Sequence, residues 1–392
     1  MMNLEISLKE PHGVLTLLAL RGVGPQMLER LSRRFHTLEE IRTAKPQELE
    51  FVPVGVRTAL GDPAAWDAAL AYAQKILDEA DRHRVVLLTE TDTRYPEWLR
   101  ATTDRPPVLF LKGTLRPGLR YVACIGTREP SEFGEKVSRR IATALGEQGW
   151  SIVSGLALGV DTLSHRAALD CGAHTVAVLG NGLESIYPKK NTQLALDILS
   201  AGGALLSEQP FDTPVMPRNL VQRDRLQSGM SAGTVVMQTD IVGGSMHTVR
   251  FTLQQKRLLF APMPPPSYME EPKNRGILAL IRNSGPELAR ILDAKGEFSL
   301  FLERQFRNRP VATAITGRED YEKLFAELER AVTSDISHRN ESSGLFSESK
   351  KITDERTGER LFYNDEVIQT LKDLRTRGYS FHQILAALET LR

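Results

Sequence analysis

A chain of 392 residues, 41% hydrophobic and 25% charged, has the length for two or three domains and the composition of a globular protein, which excludes a disordered or fibrous one. Its two cysteines, Cys124 and Cys171, form no CxxC pair, so a disulfide framework and a cysteine-rich zinc site are excluded. A net charge of +1 leaves no chain-wide basic surplus for a duplex binder, although residues 216–257 hold five arginines and one lysine against Asp224 and Asp240.

In chain order, Leu28, Leu31 and Phe35 keep helical spacing after the turn at Gly22, Val23 and Gly24. Residues 38–60 read as a second, degenerate copy, a helix-hairpin-helix-like pair, and residues 64–82 as a long helix with Trp66, Ala69, Leu70, Ala73 and Leu77 on one stripe. These make an expected helical domain over 1–82. The N-terminus lacks an apolar leader and the apolar runs are too short to span a bilayer, so a cytoplasmic protein without membrane contact is expected.

From residue 85 the period changes. Apolar runs at 85–89, 108–111, 121–125, 151–154, 175–179, 204–207, 233–238 and 258–261 read as strands. From 121 onward they alternate with helices at 133–148, 161–171, 191–201, 223–231 and 245–255. The fold class is therefore α/β, an extended Rossmann-like parallel sheet covered on both faces, over 83–295. Residues 275–282 read as a closing helix. Beyond 295 strand signals cease, and a helical C-terminal extension is expected over 296–392. It holds a polar linker near 334–351 and a helical pair within 367–391.

Ligands collect at the carboxyl edge of such a sheet. The first turn there is Gly126, Thr127 and Arg128, which is not GxGxxG and disfavours a dinucleotide. The second offers Ser154 and Gly155 at a helix start suited to anions. Lys189 and Lys190 follow the third, beside Tyr187, a residue for base stacking or plain packing. Asn191 can cap the next helix. Arg218, Asn219, Arg223 and Arg225 make the most basic segment, and Gly244 and Ser245 open the last helix. Several such turns on one edge describe a phosphate-binding groove for a polymer. Asp161 and His165, four apart, read either as an acid–base or metal couple, or as a dipole-stabilising carboxylate and an interior histidine. Neither a catalytic residue nor a metal or cofactor site is assigned.

Together the motifs resemble those of the DNA-processing protein A family, also called Smf. They are Tyr95-Pro96 with Trp98-Leu99, the Gly126–Arg128 turn, and Ser154-Gly155 with Ala157, Gly159, Asp161 and His165. Gly180, Gly182, Tyr187-Pro188, Asn191 and Ser207-Glu208 with Pro210 complete the set. The resemblance covers residues 15–290. It implies single-stranded DNA binding in a basic pocket, homodimerisation, and hand-over of the strand to RecA recombinase in natural transformation. It builds the pocket from Arg128 and from a segment in which Asn219, Arg223 and Arg225 match, while Leu220 stands at an aromatic position and Asp224 at an asparagine. The family's C-terminal winged helix is not recognisable in 296–392. Two other classes remain open. One is a nucleotide enzyme or sensor using Glu208 with Asp161 and His165; the other is an interaction scaffold docking partners through its helical ends.

Overall fold

The computed structural model describes residues 5–115 and 118–347. The N-terminal helices are α1 (Pro11–Ala19), α2 (Pro25–Ser32), α3 (Leu38–Arg42), α4 (Val54–Leu60) and α5 (Pro63–His83). Proline at the first helical position starts α1, α2 and α5, where the missing N–H costs nothing. Asp62 caps α5 by accepting from the Ala64 amide at 3.0 Å. The Trp66 indole is buried and donates to the Leu60 carbonyl at 2.8 Å, tying α5 to α4. These helices do not close a core of their own. Leu17, Leu31, Trp66 and Ile76 pack in one apolar cluster with Phe110, Leu179, Leu194 and Leu205 of the α/β part.

That part contains β1 (Val86–Leu88), α6 (Glu97–Arg100), β2 (Leu109–Gly113), β3 (Tyr121–Gly126), α7 (Glu132–Glu147), β4 (Ser151–Ser154), α8 (Val160–Asp170) and β5 (Thr175–Leu179). It continues with α9 (Thr192–Ser200), β6 (Ala204–Ser207), α10 (Pro217–Gly229), β7 (Gly233–Gln238), α11 (Ser245–Gln254) and β8 (Leu258–Pro262). Helices α12 (Arg275–Arg282), α13 (Gly285–Ile291) and α14 (Gly296–Gln305), strand β9 (Thr313–Ile315) and helix α15 (Tyr321–Ser347) follow. Sheet order is β1-β2-β6-β5-β4-β3-β7-β8-β9, parallel from β6 to β9. Strands β1 and β2 extend it as an antiparallel edge. Side chains alternate across the sheet as the two-residue period requires. Val122 and Cys124 of β3 pack with Ile141 of α7 and Val160 of α8. Tyr121 lies on the opposite face with Leu226 and Met230 of α10. The α/β reading, with strands buried on both faces, therefore holds.

Four readings are corrected. Helix α10 begins at Pro217, six residues before expected, because proline at its first position and the good helix formers after it propagate helix through the basic segment. The sheet does not end at 295: β9 pairs in parallel with Phe260–Pro262 of β8, and its three residues were too short to show a strand period. The polar stretch from 334 to 347 is helix, the continuation of α15, whose first turns are anchored by buried Leu324 and Leu328. Helix propagation adds a hydrogen bond per residue once a turn is fixed, so serines and glutamates are carried along. By contact the chain divides into Met1–Val332 and Thr333–Arg392, so the body reaches past the expected limit of 295. The expected linker residues 348–351 and the helical pair within 367–391 lie outside the described residues.

Candidate nucleic-acid interface

The chain winds from β3 out to β6 and resumes at β7 on the other side of β3, so the topological switch lies between β3 and β7. That crevice is filled from within. Gln238 accepts from the Ser131 amide at 2.9 Å and donates to Ser131 Oγ at 2.8 Å and to Asn274 Oδ1 at 2.7 Å. Asn274 is fully buried. The Thr127 amide donates to the Gln238 carbonyl at 2.8 Å, and the Thr127 carbonyl accepts from Val160 at 3.1 Å. A Cβ on Gly126 would lie 2.6 Å from the Val160 side chain. Gly126 and Thr127 thus act through backbone packing, holding Arg128 in place, and a mononucleotide seat at the switch is closed.

The loop after β4 is held from two directions. Asp161 is buried in the first turn of α8, and its Oδ2 accepts from the amides of Gly155 at 3.0 Å and Ala157 at 3.2 Å. Asn191 does not cap α9 as expected. Its amide reaches back to the carbonyls of Leu156 at 2.7 Å and Ala157 at 3.2 Å, and to Thr162 Oγ1 at 2.8 Å. Between these clamps Leu156 sits at φ 59°, a left-handed conformation that a leucine holds only when its surroundings over-determine it. Ser154 is a corrected site residue: it is fully buried and donates to the Cys124 carbonyl at 2.7 Å, so no hydroxyl faces solvent. His165 takes the interior reading. It is fully buried, its Nδ1 lies 2.8 Å from Thr175 Oγ1, and burial pushes its pKa down to about 3, keeping it neutral. Asp161 is engaged by the loop amides and is no couple for it.

Helix α10 sorts the arginines. Arg223 is buried; it donates to the carbonyls of Gly155, at 2.5 Å, and Val178, and its Nε lies 3.2 Å from Asp224 Oδ1. Two positions on, roughly 200° around the helix, Arg225 points elsewhere. It is buried against Glu208 and lies 3.6 Å from Asp104. Burial raises the Glu208 carboxyl, and Arg225 beside it opposes that rise. Arg225 is therefore removed from the phosphate set, and Glu208 is its counterion rather than an exposed acid–base group. Asn219 is also buried, its backbone lying against Gly180. Arg223 remains at the site as a strut under the Gly155 loop. The sequence showed these residues as a basic run; the early start of α10 turns them into the interior, where guanidinium groups need carboxylate and carbonyl partners.

One open cavity of about 450 Å³ lies over the ends of β3, β4 and β5. Arg128, Leu158, Tyr187, Leu220 and the Arg223 guanidinium are among its lining residues. Arg128, Lys189, Lys190 and Arg218 are exposed, and among the described residues none of the four has a carboxylate partner. Gly244 is exposed and Ser245 half-buried at the start of α11, outside the cavity lining. Leu158 and Tyr187 were not among the expected site residues, and their exposure of 36% and 42% is the signal that marks them. Among the described residues, no group of three or more His, Cys, Asp or Glu could hold a metal ion, and no helix is long and apolar enough to cross a membrane.

Two substitutions test this construction. Gly159 has φ +76°, and a Cβ there would lie 2.5 Å from the Arg128 carbonyl. Gly159→Ala is expected to cost about 1–3 kcal/mol and to displace Arg128, read as a lower unfolding midpoint together with weaker anion binding. Asp224 shares Arg223 with Asp161, and burial pushes its pKa up to about 6. A carboxyl raised from its ordinary 3.8 stabilises the fold fully below that value and loses the contribution as pH rises through about 6. Asp224→Asn is therefore expected to gain stability relative to the parent as pH increases from 4 to 7. Parallel thermal melts across that range check it, and a constant difference would contradict it.

The family model described as DNA recombination-mediator protein A matches residues 86–297. The chain belongs to this family. It is 39% identical over 186 residues to the Smf protein of Escherichia coli K12, covering 47% of this chain and 49% of that one. It is 33% identical over 269 residues to the Smf protein of Synechocystis, covering 67% and 66%. With DNA processing protein DprA of Bacillus subtilis it shares 37% over 191 residues, covering 48% and 63%. These matches thus span between half and two thirds of the relatives' own lengths. The solved structure of DNA processing protein A from Streptococcus pneumoniae superposes with a TM-score of 0.55 at 23% identity, covering 79% of this chain and 96% of that one. That likeness establishes a shared fold. The match to the DNA recombination-mediator protein A family begins at β1 and ends in α14, so it takes in all the turns that line the cavity.

Proposed function

We propose that this protein binds single-stranded DNA without acting on it chemically, laying the sugar–phosphate backbone along the carboxyl edge of the sheet. The observation that carries this is the exposed set Arg128, Lys189, Lys190 and Arg218 around an open cavity with apolar walls. Cations that track a backbone beside surfaces that accept bases are what strand binding without sequence preference requires. A dedicated enzyme is disfavoured because Asp161, His165 and Glu208 are each engaged in holding the fold. Within this reading the chain works as a homodimer that shelters incoming DNA and passes it to RecA recombinase in natural transformation. Membership of a recombination-mediator family supports that role.

Anisotropy titrations of a labelled oligothymidine and a labelled duplex, at about 50 and about 200 mM salt, test the binding step. The single strand should bind more tightly, with an affinity that falls with salt at a logarithmic slope of about −2 to −3, as three or four phosphate contacts give. Absent or salt-independent binding would remove the proposal.

A further inference from the structure

The cavity has two kinds of wall. Arg128 stands at its mouth, while Tyr187, Leu158 and Leu220 supply apolar surface inside. Leu158 and Tyr187 keep 36% and 42% of their surface in solvent. Leu158 is exposed by construction, because its loop carries the left-handed Leu156 and is fastened by Asp161 and Asn191. Asn191 lies four residues after Tyr187, so a single short segment supplies both the aromatic ring and the clamp on the opposite loop. Two exposed apolar side chains are thus held on fixed backbone at a cavity whose rim carries cations. A phosphate alone would leave these walls unused, and a purely apolar guest would leave Arg128 unused.

We infer that the cavity receives one nucleobase turned out of the stack, its face against Tyr187 and its 5′ or 3′ phosphate on Arg128. The inference rests on the strand-binding reading above and adds that the site engages bases as well as backbone. Aromatic stacking accepts any base, since every base has a π-face, so selection is for an unpaired base rather than for a sequence. A base paired in a duplex is unavailable without the cost of unstacking, and single strands are thereby preferred.

The test compares the full chain with Tyr187→Phe, Tyr187→Leu and Tyr187→Ala, using an oligothymidine and an abasic oligonucleotide of the same length. The parent should bind the oligothymidine about five- to a hundredfold more tightly than the abasic strand. Tyr187→Phe should keep that ratio and Tyr187→Ala should bring it close to one, with Tyr187→Leu between them. All four should show the same affinity for the abasic strand, which separates loss of stacking from loss of fold. A 2-aminopurine placed within the strand should be quenched on binding to the parent and not to Tyr187→Ala. An unchanged ratio in Tyr187→Ala would overturn the base slot while leaving backbone binding intact. Failure of the parent to bind either strand would overturn both.

Discussion

Replacing Asp161 with alanine should lower the stability of the folded chain by roughly 2–5 kcal/mol, the largest effect expected from a single side chain at the site. Its carboxylate serves two amides, Gly155 at 3.0 Å and Ala157 at 3.2 Å. Each orphaned donor in a water-poor setting costs about 1–3 kcal/mol. The same carboxylate holds the loop in which Leu156 has φ 59°, and a strained residue relaxes when its restraint is lost. Arg223 would still face Asp224, so the loss comes from the loop and not from an unpaired guanidinium. Denaturant unfolding of the parent and of Asp161→Ala checks this; a difference under about 0.5 kcal/mol would show that the loop does not depend on the carboxylate. Asp161→Asn, which keeps one acceptor and the shape, should lie between the two.

The second large effect is on binding. Arg128→Ala should weaken affinity for single strands about ten- to hundredfold, the range for removing a hydrogen bond to a charged group. The backbone of its turn is tied to Gln238 and Val160, so truncating the side chain should leave the turn and the melting temperature in place. Among the described residues its guanidinium has no carboxylate partner, which leaves its donors for a phosphate. Titrations of the variant with the same oligothymidine supply the comparison. Unaltered affinity would place the strand away from β3.

Much of the sheet was legible because strands buried on both faces read as unbroken apolar runs, and glycines at φ outside the ordinary range mark the turns between them. The run from Thr175 to Leu179 and the turn at Gly159 are examples. The antiparallel pairing of β1 and β2 was not legible, since pairing partners lie far apart in sequence. Strand β9 escaped because three residues carry no period. The site was half legible. Arg128, Lys189, Lys190 and Arg218 stand exposed at the expected edge, but charge alone does not say which way an arginine points. Once α10 is drawn from Pro217, helical geometry separates Arg223 from Arg225, and burial then assigns both to internal partners. Asn191 was read as a local cap, and its bonds to a loop more than thirty positions earlier are tertiary.

The central claim is that exposed Arg128 meets the phosphates while buried Arg225 belongs to the interior. The salt dependence of oligothymidine binding measured for Arg128→Ala and for Arg225→Met combined with Glu208→Gln tests it most directly. The double variant removes a buried pair together, which avoids an unpaired charge. The slope should fall in magnitude by about 0.7 in Arg128→Ala and stay at the parental value in the double variant. A parental slope in Arg128→Ala, with a reduced one in the double variant, would contradict it.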